Sequence, residues 1–253
     1  MHRFYVPPAQ CRSESLTLPE REALHALNVL RLRARERVVV LDGVGGEYLC
    51  EVIEAGGRSV TLKVVQKNMI APLPCQVTLL QAIPKGRTMD LIVQKATELG
   101  VHRIVPVLSE RVVTHLDDDS AQGKTGKWEA TAIEAIKQCG SAWLPAVEAP
   151  ATPQAFLARG EKFDLPLIAS LQPGAQHPRR HFDAFLEERK RLPQSVCLWI
   201  GPEGDFTPSE TNTVRAAGAL PITLGPVVLR SETAAVYGLS VINYELQAPR
   251  SFS

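Results

Sequence analysis

Apolar and polar positions follow two different periods along the chain, and the period changes near residue 70. Residues 19–30 carry leucines at helical spacing, which predicts an amphipathic helix. Apolar runs at 37–42, 47–54 and 59–65 come next, and the last two alternate apolar with polar residues, as half-buried strands do. Because glycines separate these runs, the region predicts a small antiparallel β unit of the barrel type.

From residue 75 onward, apolar strand-like runs alternate with helical patterns. Strands separated by helices predict a doubly wound, mostly parallel α/β sheet. The proline-containing segment 71–74 predicts a short stiff linker, so the expected domains are residues 1–70 and 75–253. The polar, glycine-containing stretch 115–126 predicts a mobile loop. The predicted strands are 76–83, 102–108, 146–148, 163–171, 195–200 and 220–224, and the predicted helices are 88–99, 127–139, 178–191 and 234–246.

Two of these strands end in glycine turns. The buried run 195–200 stops at Gly201, and the run 220–224 stops at Gly225. Residues 207–210 then read Thr-Pro-Ser-Glu, which predicts a helix start with a capping box. A third turn, residues 172–177, also follows a strand. Ligands bind outside the carboxyl ends of such strands, so these turns are candidate ligand-binding loops. Alternatively, they are ordinary strand-to-helix turns that bind nothing.

One further glycine motif resembles a nucleotide-binding signature. The string VVVLDGVGG has the required strand and glycines, but a helix must follow that signature. Here the alternating string EYLCEVIE follows, so residues 42–46 predict a hairpin turn instead.

Composition and charge place few further limits on the class of protein. The 253 residues are 45% hydrophobic and 22% charged, which is typical of globular proteins, and the net charge of +1 does not by itself indicate nucleic acid. No apolar run approaches the ~20 residues of a membrane span, and the first residues lack the apolar core of a signal peptide, so we expect a cytoplasmic protein. The five cysteines form no CxxC pair and predict reduced, buried thiols. His177 and His181 lack a third ligand, so no metal is expected.

Basic residues recur at every second position from Arg31 to Arg37. In extended chain they would line one face and contact phosphates. Alternatively, they are the solvated end of the preceding helix, where cations are favourable. Arg3 could join either arrangement.

Longer strings carry a family resemblance. GPEGDFTPSE and LGPVVLRSETAA resemble the RsmE family of the SPOUT superfamily, whose members methylate N3 of a uridine in small-subunit ribosomal RNA. The family's usual strings are GPEGG and LG-x-x-ILR-x-ETA, and here Asp205 replaces the second glycine of the pair. KGRTMDLIVQKATELGVHRIVPVLSERVV, EAIKQCG and HALNVLRLRARERVVVLDGVGGEYLCEV extend the resemblance over both domains. Ser141 stands where the family usually has arginine.

The resemblance implies a SPOUT-type mostly parallel sheet with a C-terminal trefoil knot, preceded by a PUA-like RNA-binding β-barrel domain. It also implies S-adenosylmethionine as the cofactor, 16S rRNA within the small ribosomal subunit as the partner, and a homodimer. The cofactor-binding residues it implies are Leu171, Ile200, Gly201, Pro202, Glu203, Gly204, Leu224, Gly225 and Leu229.

Methylation of uracil N3 requires loss of a proton and a partner for the charge that spreads onto the carbonyl oxygens. We expect Arg230 to be that partner, and Glu232 or Glu203 to accept the proton or orient the cofactor's amine. The alternative is a structural ion pair between Arg230 and one of these glutamates. The residues expected to contact RNA are Arg3, Arg31, Arg33, Lys85 and Arg87.

The last predicted helix is apolar nearly all round and carries Glu245 as its one charge. A surface helix usually keeps a charged face, so a second copy of the chain is expected to cover this one. Two alternatives to the proposed activity stay open on sequence alone. The chain could be a SPOUT methyltransferase of another nucleotide, or a noncatalytic RNA-binding module.

Overall fold

The computed structural model describes residues 1–111 and 118–247, with the side chains of 118–121 left aside. Contacts divide it into two compact units. Unit 1 comprises Met1–Pro72 and Ile133–Leu144, and unit 2 comprises Leu73–Ala132 and Pro145–Ser253. In chain order the elements are β1 (Arg3–Tyr5), β2 (Ser15–Thr17), α1 (Glu20–Asn28), β3 (Arg37–Leu41), β4 (Gly46–Gly56), β5 (Ser59–Met69), β6 (Gln76–Ala82), α2 (Thr88–Glu98), β7 (Arg103–Val107), α3 (Asp118–Cys139), β8 (Ala146–Val147), α4 (Pro153–Leu157), β9 (Leu165–Ala169), α5 (Pro178–Arg189), β10 (Ser195–Ile200), α6 (Pro208–Ala216), β11 (Leu220–Ile222) and α7 (Ser231–Gln247).

Unit 1 is built on a five-stranded sheet of order β1-β3-β4-β5-β2. The three longest strands pair antiparallel, as the alternation predicts, but β1 runs parallel to β3, so the sheet is mixed. Phe4 of β1 and Leu16 of β2 are fully buried in the core of this unit. Strands this short are missed in sequence because three residues do not establish a period.

The hairpin between β3 and β4 is confirmed, and Asp42 holds it together. Its Oδ1 accepts hydrogen bonds from the backbone N–H groups of Val44 (2.9 Å) and Gly46 (2.7 Å), and its Oδ2 accepts one from the Tyr48 hydroxyl (3.1 Å). Burial and the neighbouring carboxylate raise the pKa of Tyr48 to about 12, so the phenol keeps its proton. The glycine motif therefore serves a turn.

Unit 2 is built on a six-stranded sheet of order β11-β9-β10-β6-β7-β8, in which every paired strand is parallel. This confirms the α/β prediction. The strands β6 and β10 lie in the middle of the sheet and are almost wholly buried, consistent with their continuous apolar runs. The helix α7 packs on α2 and β10, where Ala235, Leu239 and Ile242 are buried.

One predicted loop is wrong in part. Helix α3 begins at Asp118, so residues 118–126 are helical and not a polar loop. The two glycines in this stretch suggested a loop, but a glycine inside a helix costs only about 1 kcal/mol relative to alanine, and the helix includes both. Residues 115–117 of the predicted loop lie outside the described residues.

Within the described ranges, no helix is both long enough and apolar enough to cross a membrane.

Candidate functional site

Three loops of unit 2 meet at one edge of its sheet. Strands β11, β9 and β10 are neighbours and run parallel, so their carboxyl ends lie side by side. The loops that follow them are residues 170–177, 201–207 and 223–230. This is the place where ligands bind in open parallel sheets.

The loops enclose a cavity of about 390 Å³, a size within the range of about 300–1,000 Å³ that is usual for small-molecule sites. Among the described residues, its charged lining consists of Glu203 and Asp205, both acidic. Its apolar lining is partly exposed, since Leu171 is 62% and Val228 is 74% accessible. Apolar side chains left open at a concave surface favour a ligand with an apolar ring. The lining residues are Ala169, Ser170, Leu171, Gln172, Pro173, Gly174, Ala175, Ile200, Gly201, Pro202, Glu203, Asp205, Thr223, Leu224, Gly225, Pro226, Val227, Val228, Leu229, Ser231 and Ala234.

Gly201 is required by a close approach within its own loop. A Cβ at this position would lie 2.8 Å from Asp205 Oδ1 and 3.1 Å from the Phe206 backbone nitrogen. Asp205 itself adopts the left-handed conformation, with φ 61°, and its Oδ1 accepts a hydrogen bond from the Phe206 N–H at 2.8 Å. Aspartate tolerates this conformation through such a local hydrogen bond. The loop therefore keeps a glycine-like backbone where the family pattern has glycine.

Gly225 is required by its backbone conformation. Its φ is +118°, which L-residues rarely adopt, although a Cβ there would meet nothing within 4 Å. The turn is closed by Thr223, whose Oγ1 bonds the carbonyl and the N–H of Gly225 at 3.2 Å each.

The capping box of α6, which the sequence predicts, fixes the end of the loop 201–207. Thr207 and Glu210 exchange side-chain-to-backbone hydrogen bonds at 3.2 and 2.9 Å. The Glu210 carboxylate also accepts from the Glu110 backbone N–H at 2.9 Å and from the Ser109 hydroxyl at 3.1 Å. Arg111, two residues after Ser109, also contacts this loop, because its guanidinium donates a hydrogen bond to the Gly204 carbonyl.

The first turn of α7 lies against the same cavity. Ser231 and Ala234 line it, and Arg230 accepts the first helical hydrogen bond, from the Ala234 N–H to its carbonyl (2.8 Å). The Arg230 side chain is exposed and that of Glu232 is half-buried, and neither has an ion-pair partner within the described part of the chain. The alternative of a structural ion pair between Arg230 and Glu203 or Glu232 is therefore not observed.

Glu203 instead makes a contact to another loop. Its Oε1 accepts a hydrogen bond from the Lys85 backbone N–H at 3.1 Å. This contact brings the basic residues Lys85 and Arg87, in the loop between β6 and α2, next to the loop that lines the cavity.

The other residues predicted to contact RNA lie in unit 1 and differ from one another. Arg31 and Arg33 are exposed, and no ion pair involves them within the described ranges. Arg31 and Arg35 have φ values of 54° and 73°, so this segment is not an extended strand. The Leu32 N–H donates to the Ala26 carbonyl of α1 at 3.0 Å, which places Arg31 at the end of that helix in the left-handed conformation common at helix C-termini. Arg3 is engaged within the unit, since its guanidinium donates to the carbonyls of Lys137 and Gln138 at the end of α3.

Among the described residues, the histidines and thiols make no metal cluster. His177 caps α5 by accepting from the Arg179 N–H, and His181 contacts the Pro221 carbonyl. The expectation of five buried cysteines is wrong for Cys139, which is exposed near the end of α3. Burial raises the pKa of Cys197 to about 12, so that thiol is no nucleophile at neutral pH.

The structure brings together every predicted cofactor-binding residue except one. Gly204 is exposed and is not part of the lining. The sequence interpretation missed Ser170, Gln172, Thr223 and Ser231, which supply polar atoms to the same cavity. Ser170 and Thr223 directly follow the strands β9 and β11, and that position was the available signal for these two residues.

Two family models match the chain. An RNA methyltransferase domain matches residues 71–243, and an RNA methyltransferase PUA domain matches residues 18–65. Together with the parallel sheet and the cavity at its carboxyl edge, these matches define an RNA methyltransferase with an N-terminal PUA domain.

Relatives identify the family. The chain is 30% identical to ribosomal RNA small subunit methyltransferase E of Bacillus subtilis, over 99% of both chains, and 33% identical to that of Synechocystis, over 98% of this chain and 78% of the relative. The chain therefore belongs to the ribosomal RNA small subunit methyltransferase E family, as its motifs indicate.

Solved structures of methyltransferases have the same fold over nearly the whole chain. A methyltransferase of Legionella pneumophila in complex with the cofactor SAM superposes with a TM-score of 0.85 at 30% identity, and covers 96% of each chain. Ribosomal RNA small subunit methyltransferase E of Neisseria gonorrhoeae bound to S-adenosyl methionine gives 0.82 at 27% identity, again over 96% of each chain.

Proposed function

We propose that this protein transfers a methyl group from S-adenosylmethionine to N3 of a uridine in small-subunit (16S) ribosomal RNA. The observation that carries the proposal is the cavity that three loops form at the carboxyl edge of the parallel sheet, in a chain of this family. We propose that it acts in the cytoplasm on the small ribosomal subunit, as a homodimer whose C-terminal segment threads a trefoil knot.

The cavity fits the cofactor on its own chemistry. S-adenosylmethionine carries an apolar adenine ring together with a sulfonium and an ammonium group. The exposed apolar side chains Leu171, Val227 and Val228 suit the ring, and the acidic residues Glu203 and Asp205 suit the cations. The Gly201 carbonyl is held by the Ser231 hydroxyl and the Gly225 backbone by Thr223, so the backbone of both loops is fixed where it lines the cavity. When bound, the cofactor supplies an electrophilic methyl group.

The residues of the chain then have three tasks. Gly201, Leu224 and Leu229 hold the cofactor within the cavity. Arg230, exposed and unpaired within the described part of the chain, stabilises the charge that spreads onto the uracil carbonyl oxygens as the N3 proton leaves. Glu232 has no hydrogen-bond partner among the described residues and accepts that proton, whereas Glu203 already binds the Lys85 N–H and orients the cofactor's amine.

RNA contacts are assigned to two groups of cations. Lys85 and Arg87 belong to the loop that Glu203 joins to the cavity, so they are suited to phosphates near the target base. Arg31 and Arg33 of unit 1 are exposed and suited to phosphates elsewhere on the RNA. The Arg3 guanidinium caps α3 through one of its nitrogens, and we propose that its remaining N–H groups contact the RNA.

Mass spectrometry of rRNA nucleosides tests the proposal. Small subunits from cells that lack the protein are incubated with purified protein and S-adenosylmethionine. We expect 3-methyluridine to appear at one site only when both are present. Methylation of another nucleotide would redirect the substrate assignment, and no methylation of subunits or naked rRNA would contradict the proposed activity.

A further inference from the structure

A buried amide lies behind the cavity. Gln81, the sixth residue of β6, is fully buried, and its Nε2 donates to the Ser231 hydroxyl oxygen at 2.9 Å. The Ser231 hydroxyl, 4% exposed, donates in turn to the Gly201 carbonyl at 2.9 Å. This chain of two hydrogen bonds, the Gln81–Ser231 relay, connects a central strand, the first residue of α7 and the first glycine loop.

The hydrogen bonds of this buried amide are incomplete. Its Nε2 donates also to the Ala82 carbonyl at 2.9 Å, but its Oε1 has no hydrogen-bond partner among the described residues. A buried acceptor without a partner costs free energy, and an apolar side chain of the same shape would avoid that cost. Such a local conflict with stability is expected where a residue serves function.

The position of the relay indicates what that function is. Ser231 and Gly201, the two residues that the relay joins to Gln81, both line the cavity. Ser231 also begins the helix turn that follows Arg230 and contains Glu232. Movement of this turn would therefore displace the cavity wall and both of these side chains together.

We propose that Gln81 is a positioning residue, which acts through Ser231 to fix the Gly201 carbonyl and the first turn of α7 in the geometry that binds the cofactor and substrate. Gln81 itself is not part of the cavity lining. The inference rests on the proposed function, because it assigns a role in that same site.

Gln81→Met tests the role, because methionine is unbranched and of similar length but has no amide. Without cofactor, the thermal midpoint should stay within about 3 °C of the wild type or rise, since the unpaired oxygen is removed. The calorimetric Kd for S-adenosylmethionine should rise about tenfold or more, and kcat should fall by about 10–100-fold, because a small misplacement at the reacting centre has effects of that size.

Ser231 provides the second half of the test. Ser231→Ala should reproduce the losses, and Ser231→Thr, which keeps the hydroxyl, should restore most of the affinity. The double variant Gln81→Met with Ser231→Ala should be little worse than either single variant, because both break the same relay. Thr78→Val is the matched control, since Thr78 is another buried polar residue of β6, three residues before Gln81, and its side chain bonds Arg103 and not the cavity loops.

The outcomes separate the two proposals. A wild type that binds no S-adenosylmethionine would contradict the proposed function itself. A wild type that binds and methylates, with Gln81→Met unchanged in both Kd and kcat, would overturn the positioning role alone. A large loss of thermal stability in Gln81→Met, or fully additive losses in the double variant, would equally overturn it.

Discussion

Individual residues of this site could be predicted where their chemistry is unusual. Gly201 and Gly225 were visible as turn glycines after buried strands, and the structure gives each a physical requirement, a close contact in one case and φ +118° in the other. The role of Gln81 could not be predicted from the sequence, because one glutamine in an apolar strand has no periodic signature. Its role depends on Ser231, 150 residues further along the chain, and only tertiary structure brings the two together.

Arg230 is the residue whose removal should affect chemistry most. Arg230→Ala should leave folding intact, because the side chain is exposed, and should lower turnover by about 10²–10³-fold, as the loss of one oxyanion donor does. Arg230→Lys should recover only part, since an ammonium cannot reproduce a guanidinium fork. Single-turnover kinetics checks both. Arg215→Ala, at another exposed arginine, on α6, should be neutral. Wild-type turnover by Arg230→Ala would remove the assigned role.

At the scale of elements, strong local signals predicted the structure and weak ones did not. The run Ser195–Ile200 and the capping box at Thr207 are found as predicted. The short helix Pro153–Leu157 was missed, although Thr152 caps it, because five residues do not establish a helical period. The start of α3 was placed too late because two glycines suggested a loop.

The capping box of α6 gives a stability prediction. Thr207→Ala should lower the free energy of unfolding by about 1 kcal/mol, as loss of an N-cap does. Glu210→Ala should cost more, about 3 kcal/mol, because Glu210 is 1% exposed and its loss leaves the Thr207 and Glu110 N–H groups and the Ser109 hydroxyl without this acceptor. Urea denaturation measures both, with exposed Ser209→Ala as the control. Equal costs for the two variants would mean that the carboxylate does not hold the loop.

At the scale of the molecule, α7 has two different faces. One face packs within unit 2, and the other leaves Tyr237 and Tyr244 46% and 65% exposed with Val236 and Val241 beside them. Only part of the apolar surface that the sequence showed is thus covered by the chain itself. Which of these residues face inward could not be predicted, because a helix that is apolar all round has no preferred side.

The exposed face of α7 is the proposed dimer interface. Light scattering should give twice the chain mass of 27.7 kDa. Val236→Glu should shift the protein toward monomer without unfolding it, whereas Leu239→Glu should unfold it, because Leu239 is 2% exposed within its own subunit. Ala216→Glu, on the exposed side of α6, is the control. A fully active wild-type monomer at assay concentration would contradict the interface.

The central claim is that the three loops at the carboxyl edge of the sheet bind S-adenosylmethionine, and calorimetry on the full chain tests it most directly. The wild type should bind one cofactor per chain. Gly225→Val should abolish binding because its φ of +118° cannot be kept, and Gly201→Val should do so because its Cβ meets Asp205. Gly218→Val is matched, with φ +104° but no place in the cavity, and should bind normally once folded. Unchanged affinity in both Gly201→Val and Gly225→Val would contradict the claim.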